Sequence, residues 1–202
     1  MKLQLASDNI KDYLVSIPPI INFDSPLIKE RTTLIRNNAS SLEDRARMAF
    51  EISRDEIHHS FDTKNPIVTI EAEDVLKNKE GICFAKAHLL ASLLRALGIP
   101  TGFCYQKVLR KTDDSRSGWA LHGLNALYLK QYGWFRVDPR GNKPGINAQF
   151  SPEKEQLAYP IRPELGEVDY PNVFTKPLEM VIEAMERSKT SQELFFNRPE
   201  SI

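Results

Sequence analysis

The chain has 202 residues, and its 27 basic and 27 acidic side chains give a formal net charge of zero. A chain of this length can bury a substantial core as one compact domain, so a single domain over residues 1–202 is expected. Zero net charge without a local basic patch gives no support for nucleic acid or an anionic membrane as a partner. The sequence has no apolar run long enough for a membrane span or a signal peptide, which predicts a soluble, cytoplasmic protein.

The sequence contains only two cysteines, Cys83 and Cys104. Two cysteines in a chain of this length do not form a disulfide scaffold. In a reducing cytosol both are expected to be free thiols, so at least one is available for chemistry. Cys104 lies between Phe103 and Tyr105 in a strand-like stretch, which favours a small core residue.

The first part of the chain is predicted to be helical. Asp24-Ser25-Pro26 combines a capping side chain with a proline in the first turn, and predicts a helix that ends at about Asn37. Ser40 and Glu43 have the spacing of a capping box, which predicts a second helix reaching about His58. A shorter helical stretch is expected over residues 71–77.

Residues 83–97 form the strongest predicted helix. Apolar side chains cover most of its circumference, which is typical of a buried helix. Gly98, followed by Ile99-Pro100, is a common helix stop.

Three strands are predicted after this helix, over residues 102–110, 120–129 and 134–137. Residues 111–118 are expected to be a polar connector, and consecutive strands with short connections are antiparallel by default. A last helix is expected over residues 177–187. The predicted class is α+β, with a helical N-terminal part and a buried central helix packed on an antiparallel β-sheet.

Three separated residues have the chemistry of a nucleophilic site. Cys83 begins the buried helix, where unpaired backbone N–H groups favour a thiolate. His122 lies early in the second strand and Asp138 follows the third, and a hairpin centred on residue 130 would place these two side by side. The carboxylate would orient the imidazole, and the imidazolium would keep the thiol ionised. Gly81 is expected to allow a tight turn and leave room for a substrate.

The sequence around these residues resembles the transglutaminase-like superfamily. Gly81-Ile82-Cys83, the apolar helix, and Leu94-Arg95-Ala96-Leu97-Gly98-Ile99-Pro100 resemble the core of its domains. Leu121-His122-Gly123-Leu124-Asn125-Ala126 and Trp134-Phe135-Arg136-Val137-Asp138-Pro139 resemble the histidine and aspartate strands. The resemblance covers about residues 71–142 and is closest to the bacterial and archaeal transglutaminase-like predicted cysteine peptidases.

The resemblance implies a papain-like/transglutaminase-like fold with a catalytic core at about residues 71–142. It also implies that Cys83 attacks an amide carbonyl to form a thioester, that His122 protonates the leaving amine, and that water or another amine completes the reaction. The oxyanion hole would include the Cys83 backbone N–H, with Gln106 or a side chain from residues 58–62 as a second donor. The family often has an aromatic residue one or two positions after the histidine, whereas this chain has Gly123-Leu124.

Candidate contacts to a substrate are His59, Trp119, Arg140 and Asn142. Trp119 could instead pack against the sheet, and Arg140 could form a structural ion pair. The four histidines and two cysteines do not have the spacing of a zinc site, so no metal and no other cofactor is expected. The expected partner is a protein, peptide or small-amide substrate, and the sequence leaves the oligomeric state open.

The favoured interpretation is a thiol-dependent peptidase or amidase. Hydrolysis is favoured over acyl transfer because no sequence feature indicates a site for a second amine. The alternatives are an acyltransferase that uses the same triad, a non-catalytic binding module, and a purely structural interaction domain. A further hypothesis is that the Pro-rich C-terminal extension, residues 151–202, folds over the cleft and regulates access.

Overall fold

The computed structural model describes residues 1–111 and 114–202. The helices of these segments are α1 (Pro26–Asn38), α2 (Leu42–Glu51), α3 (Ser60–Thr63), α4 (Ala72–Asn78), α5 (Cys83–Ala96), α6 (Glu179–Glu186) and α7 (Ser191–Asn197). The strands are β1 (Gln4–Leu5), β2 (His58–His59), β3 (Glu80–Gly81), β4 (Thr101–Lys111), β5 (Asp114–Leu129), β6 (Gly133–Val137), β7 (Val168–Asp169) and β8 (Asn172–Val173).

The main sheet has the strand order β6-β5-β4-β7, and each neighbouring pair is antiparallel. The predicted fold class is therefore confirmed: helices come first, and an antiparallel sheet packs on a central helix. The predicted polar connector is shorter than expected, because β5 already begins at Asp114. Thr112 and Asp113, which belong to that predicted connector, lie outside the described residues.

Helix α5 lies at the centre of the protein and contacts α1, α2 and α4 as well as β4 and β5. Even its predicted polar edge is buried. Arg95, for example, donates hydrogen bonds to the backbone carbonyls of Val15, Thr101 and Thr175. Lys86 and Arg95 can be buried here because they donate to carbonyl oxygens that would otherwise lack a partner.

The second predicted helix differs from expectation at both ends. Ser41, rather than Ser40, caps α2 by accepting a hydrogen bond from the backbone N–H of Asp44. The α-helix also ends before the predicted position and continues as a π-helical turn, Ile52–Glu56. The Lys86 amine donates to the carbonyls of Arg54 and Ile57 at this turn, which satisfies acceptors at the helix end.

The C-terminal extension folds back onto the core. Strand β7 pairs with β4, and β8 pairs in parallel with β1. Near the end of the chain, the backbone N–H of Leu121 donates to the carbonyl of Pro199 at 2.7 Å. Every helix in the described ranges is too short or too polar to cross a membrane.

Candidate active site

Cys83 occupies the first position of α5 and is 2% exposed. The first hydrogen bond of the helix runs from the N–H of Lys86 to the carbonyl of Ile82. The amides of Cys83, Phe84 and Ala85 therefore lack an acceptor within the helix, and their partial positive charge surrounds the sulfur. A helix start of this kind favours a negatively charged sulfur or a neighbouring oxyanion.

His122 and Asp138 form a buried pair. Nε2 of His122 lies 2.7 Å from Oδ2 of Asp138, and the two residues are 2% and 0% exposed. Asp138 also accepts hydrogen bonds from the backbone N–H groups of Arg140 and Ala158, each at 3.0 Å. These bonds fix the carboxylate and, through it, the orientation of the imidazole.

The strand register explains how His122 and Asp138 meet. Asn125 lies opposite Val137, so the hairpin is centred on residue 131 rather than on the predicted residue 130. Continuing this register by one residue places Asp138 opposite Leu124. Leu124 and His122 share one face of β5, because side chains alternate along a strand. His122 and Asp138 therefore lie side by side as expected, through a diagonal contact, because the register is shifted by two residues from a direct pairing.

The Cys83 thiol and the His122 imidazole are coupled, because each is among the causes that shift the pKa of the other. Nε2 faces Asp138, so Nδ1 is the nitrogen left for the sulfur. Burial by itself raises the pKa of the Cys83 thiol, but the attraction of His122 and its hydrogen bond to the sulfur outweigh burial and leave the pKa below its ordinary value. This pKa shift favours a thiolate at position 83.

The His122 imidazole is stabilised in its protonated form. Burial lowers its pKa, but the charges of Asp138 and Cys83 dominate and raise the pKa to about 9. Burial likewise raises the pKa of Asp138, and the attraction and hydrogen bond of His122 outweigh it, so the net pKa is lowered. The arrangement can therefore hold a thiolate, an imidazolium and a carboxylate together, in that order.

Cys104 has a different environment. It is fully buried in a small apolar cluster with Tyr13, Leu124, Ala126 and Val173. Burial raises the pKa of its thiol to about 12. The expectation that Cys104 is a core residue agrees with this position.

Gly123 fits beneath the aromatic ring of Phe84. A Cβ atom at position 123 would lie 2.6 Å from Cδ1 of Phe84, which is closer than side chains tolerate. The backbone of Gly123 is also one of the smaller causes that lower the pKa of the Cys83 thiol. The ring of Phe84, which follows Cys83 on α5, thus occupies the space above position 123.

The role expected for Gly81 needs correction. A Cβ atom there would lie 2.9 Å from Cβ of Ala85 and 3.1 Å from Oγ1 of Thr69. Gly81 therefore allows β3 to approach α5 closely, and the space beside it is filled by protein rather than left for a substrate.

Two residues that the sequence did not single out cover the site. The Tyr159 ring contacts the His122 ring at nearly a right angle, with 4.8 Å between the ring centroids. Arg198 precedes Pro199, whose carbonyl accepts from Leu121 next to His122, and its charge is among the causes that lower the pKa of the Cys83 thiol. Both belong to the C-terminal extension, so this extension does lie over the site. No local motif marks either residue, because each meets the site through contacts distant in sequence.

Three of the four predicted substrate contacts line one cavity of about 260 Å³, namely His59, Arg140 and Asn142. Arg140 is already held by Asp62, through two hydrogen bonds of 2.5 and 2.9 Å. Both ends of the Asn142 side-chain amide bond to the backbone of Ala148. His59 remains buried with Nδ1 lacking a hydrogen-bond partner among the described residues.

Trp119 and Gln106 have other partners. The Lys107 amine lies 4.1 Å from the centroid of the Trp119 ring, and this ring also contacts Gly166, so Trp119 has the packing role considered above. Gln106 is directly opposite His122 on β4, but its amide nitrogen donates to Oδ1 of Asp169 at 3.2 Å. That bond uses one of the two N–H donors of the Gln106 amide, so the role of Gln106 as an oxyanion donor stays a prediction.

Comparison with solved structures gives a neighbour of distant sequence, the crystal structure of a putative cysteine protease from Cytophaga hutchinsonii. It is 14% identical, with a TM-score of 0.49, and the aligned region covers 66% of this chain and 43% of that one. This chain therefore spans less than half the length of that protein. Among proteins of curated function, none matches this sequence.

The sequence profile described as the transglutaminase-like superfamily matches residues 29–139. This region contains most of α1, the whole of α2 to α5 and strands β4 to β6, and it ends just after Asp138. It is more than half of the chain, so the protein belongs to the transglutaminase-like superfamily, a group of cysteine hydrolases and acyltransferases.

Proposed function

We propose that this protein is a thiol-dependent amide hydrolase in which Cys83 is the nucleophile, His122 the acid and base, and Asp138 the residue that orients the histidine. The observation that supports this most strongly is the buried hydrogen bond between His122 and Asp138, together with the influence of His122 that lowers the pKa of Cys83 at the start of α5. Packing alone does not require these three residue types together, whereas nucleophilic catalysis does. The substrate is a protein, a peptide or a small amide.

In the proposed reaction, the Cys83 thiolate attacks the carbonyl carbon, and the C=O electron pair moves to oxygen. The oxyanion collapses as the C–N bond breaks, and the His122 imidazolium gives its proton to the leaving amine. The neutral imidazole then takes a proton from water while the water oxygen attacks the thioester. The carboxylic acid leaves, and the thiolate and imidazolium are restored. The backbone N–H of Cys83 is the proposed donor to the oxyanion.

Acyl transfer is the second candidate, because the first half of the reaction is the same and the superfamily includes acyltransferases. The two candidates differ only in whether water or a second amine attacks the thioester. Access matters for either reaction, since Cys83 and His122 are each only 2% exposed. A substrate can reach the sulfur only if the covering residues move, and we propose that the C-terminal extension controls this access.

An activated ester tests the proposal without knowledge of the natural substrate. The full chain is mixed with p-nitrophenyl acetate, and intact mass spectrometry follows acetylation together with release of p-nitrophenol. We expect one acetyl group on Cys83, followed by its loss to water. The Cys83→Ala variant should lose both signals, whereas the matched Cys104→Ala variant should keep them.

Added glycinamide then distinguishes the two reactions. Hydrolysis predicts that acetate remains the main product, and acyl transfer predicts N-acetylglycinamide in its place. Absence of acetylation at Cys83 in the folded wild-type protein would contradict both reactions and favour a non-catalytic module.

A further inference from the structure

Arg198 is a buried cation without an ionic partner among the described residues. It is 9% exposed, its Nη2 is buried and has no hydrogen-bond partner, and its Nε makes only a long hydrogen bond of 3.4 Å to the carbonyl of Phe195. An unpaired guanidinium nitrogen is expensive to bury. Such a group requires a physical explanation, and a ligand or reacting group that supplies the missing acceptor is one.

The position of Arg198 is fixed beside the candidate site. Its guanidinium carbon lies 4.8 Å from the ring centroids of both Phe61 and Phe195, so two aromatic rings hold it and exclude water. The next residue, Pro199, accepts the backbone hydrogen bond of Leu121, the neighbour of His122. Arg198 also interacts electrostatically with Cys83.

His59 supplies a second nitrogen of the same kind. It is 8% exposed, and its Nδ1 is buried without a partner in the described part of the chain. Its ring contacts the edge of Phe61 at 5.3 Å between centroids, so His59 and Arg198 meet on one aromatic ring. Burial, followed by the nearby cations Arg140, Lys86 and Arg198, holds the pKa of His59 well below its usual value. A neutral imidazole can donate one hydrogen bond without adding charge.

The carboxylates nearest in sequence to these groups are engaged by other cations. Asp62 binds Arg140 and Lys143, and Glu200 lies 3.6 Å from Arg110. Asp62 and Glu200 are therefore paired with cations other than Arg198 and His59, and the buried Glu80 accepts a hydrogen bond from Thr63. Nη2 of Arg198 and Nδ1 of His59 are left without a partner among the described residues. A carboxylate provides the two acceptor oxygens that match a guanidinium and a neighbouring N–H.

We infer that Arg198 and His59 bind a carboxylate of the substrate beside the carbonyl that Cys83 attacks. The preferred substrates are accordingly amides with an acidic group close to the bond that is cleaved. This inference rests on the proposed function, because it assigns the substrate class of the same site. A role for Arg198 solely as counter-ion to the Cys83 thiolate is the alternative that an experiment must separate from it.

Two alkylating reagents of nearly equal size make this separation. Iodoacetate carries a carboxylate and iodoacetamide is neutral, so the ratio of their rates at Cys83 cancels differences in access and in thiolate content. The reference is the same ratio for Cys83 in the urea-unfolded chain. We expect the folded wild-type protein to favour iodoacetate relative to this reference. The Arg198→Gln variant should lower the ratio by about tenfold or more, the effect of losing one charged hydrogen bond.

Two further variants serve as controls. Lys189→Gln removes an exposed cation from the same C-terminal segment and should leave the ratio unchanged. Arg198→Lys keeps the charge without the forked geometry and should give an intermediate ratio. Far-ultraviolet circular dichroism and the iodoacetamide rate show whether each variant remains folded.

The possible outcomes separate this inference from the proposed function. Fast iodoacetamide labelling with an equal ratio in wild type and Arg198→Gln overturns the carboxylate site and leaves the proposed function intact. A fall in both rates by the same factor in Arg198→Gln also overturns the carboxylate site. Such a result would mean that Arg198 acts only as a counter-ion of the Cys83 thiolate. Labelling of Cys83 by both reagents that is no faster than labelling of the buried Cys104 in the folded wild type contradicts the proposed function and the carboxylate site together.

Discussion

Nε2 of His122 lies 2.7 Å from Oδ2 of Asp138 in the interior of the protein, and this contact leaves the other ring nitrogen for the Cys83 sulfur. The carboxylate has two effects on the imidazole. It fixes the ring orientation, and it is the main cause that raises the pKa of His122. Asp138 itself is held by backbone N–H groups, so the whole series is anchored to the loop that follows β6.

Replacing Asp138 by Asn should impair both catalysis and folding. The neutral amide of Asn no longer stabilises the imidazolium, so the pKa of His122 falls. The amide NH2 group would also face N–H groups that now donate to the carboxylate, and two donors cannot form a hydrogen bond with each other. We expect acetylation of Cys83 by p-nitrophenyl acetate to slow by at least about a hundredfold, in keeping with the loss of a triad carboxylate in other enzymes. Urea unfolding should show a loss of about 1–3 kcal/mol for each acceptor removed. The exposed Asp8→Asn change is the matched control, and equal rates in the two variants would contradict the orienting role of Asp138.

The Cys83→Ser variant should change how stability depends on pH. A folded pKa of about 9 for His122 lies above the value of about 6.5 in an unfolded chain. The protonated imidazole therefore contributes stability that is fully present below about pH 6.5 and is lost as the pH rises through the folded value. In the wild type, the lowered pKa of Cys83 has the opposite effect on the free energy of unfolding. The stability that the thiolate contributes increases as the pH rises and the thiol ionises.

In Cys83→Ser, Asp138 still raises the pKa of His122, so we expect the free energy of unfolding of this variant to fall as the pH rises above about 6.5, and that of the wild type to vary less. NMR titration should give a His122 pKa that is lower in Cys83→Ser than in the wild type and unchanged in Cys104→Ser. Identical His122 titrations in all three proteins would show that sulfur and imidazole are not coupled.

The ion pair of Arg140 and Asp62 predicts a contrast between two variants. Arg140 is buried, and Asp62→Ala would leave its guanidinium without a counter-ion, which should cost about 3 kcal/mol or more. Lys143 contacts the same carboxylate, but its side chain is 42% exposed, so Lys143→Ala should cost less than about 1 kcal/mol. Urea unfolding of both variants measures the difference, and similar losses would mean that burial of Arg140 does not matter.

Gly123→Ala should destabilise the protein through Phe84. The added Cβ would lie 2.6 Å from Cδ1 of that ring, and overpacking of this kind costs about 1–3 kcal/mol. The displaced ring is adjacent to Cys83, so alkylation of the thiol should slow as well. Phe84→Leu removes the clashing ring, and the double variant should recover part of the loss in urea unfolding. If the losses caused by Gly123→Ala and Phe84→Leu are strictly additive in this double-mutant cycle, the strain at position 123 does not come from the Phe84 ring.

The sequence predicted those parts of the fold that depend on local patterns. The apolar run after Cys83 gave helix α5, and the strand-turn-strand pattern gave β5 and β6. The capping residue of α2 was misplaced by one position, because Ser40 and Ser41 are adjacent and either can begin a helix. The π-helical turn after α2 was missed, since its carbonyls depend on the distant Lys86.

The candidate site was predictable only in part, because local sequence patterns position only some of its residues. Cys83, His122 and Asp138 are linked by a helix start and a hairpin, which are local features. Tyr159 and Arg198 lie in irregular or short elements of the C-terminal extension, and long-range contacts alone bring them to the site. His59 was placed among the substrate contacts, but the aromatic ring that it shares with Arg198 depends on how α7 packs against α3.

The rate of iodoacetamide alkylation at Cys83, measured against pH in the full chain and resolved from Cys104 by peptide mass spectrometry, tests the central claim most directly. A thiolate paired with the His122 imidazolium predicts that Cys83 reacts with an apparent pKa below the ordinary value of about 8.5, and that this pKa rises in the His122→Gln variant. An apparent pKa at or above the ordinary value, with the same profile in both proteins, would contradict the claim.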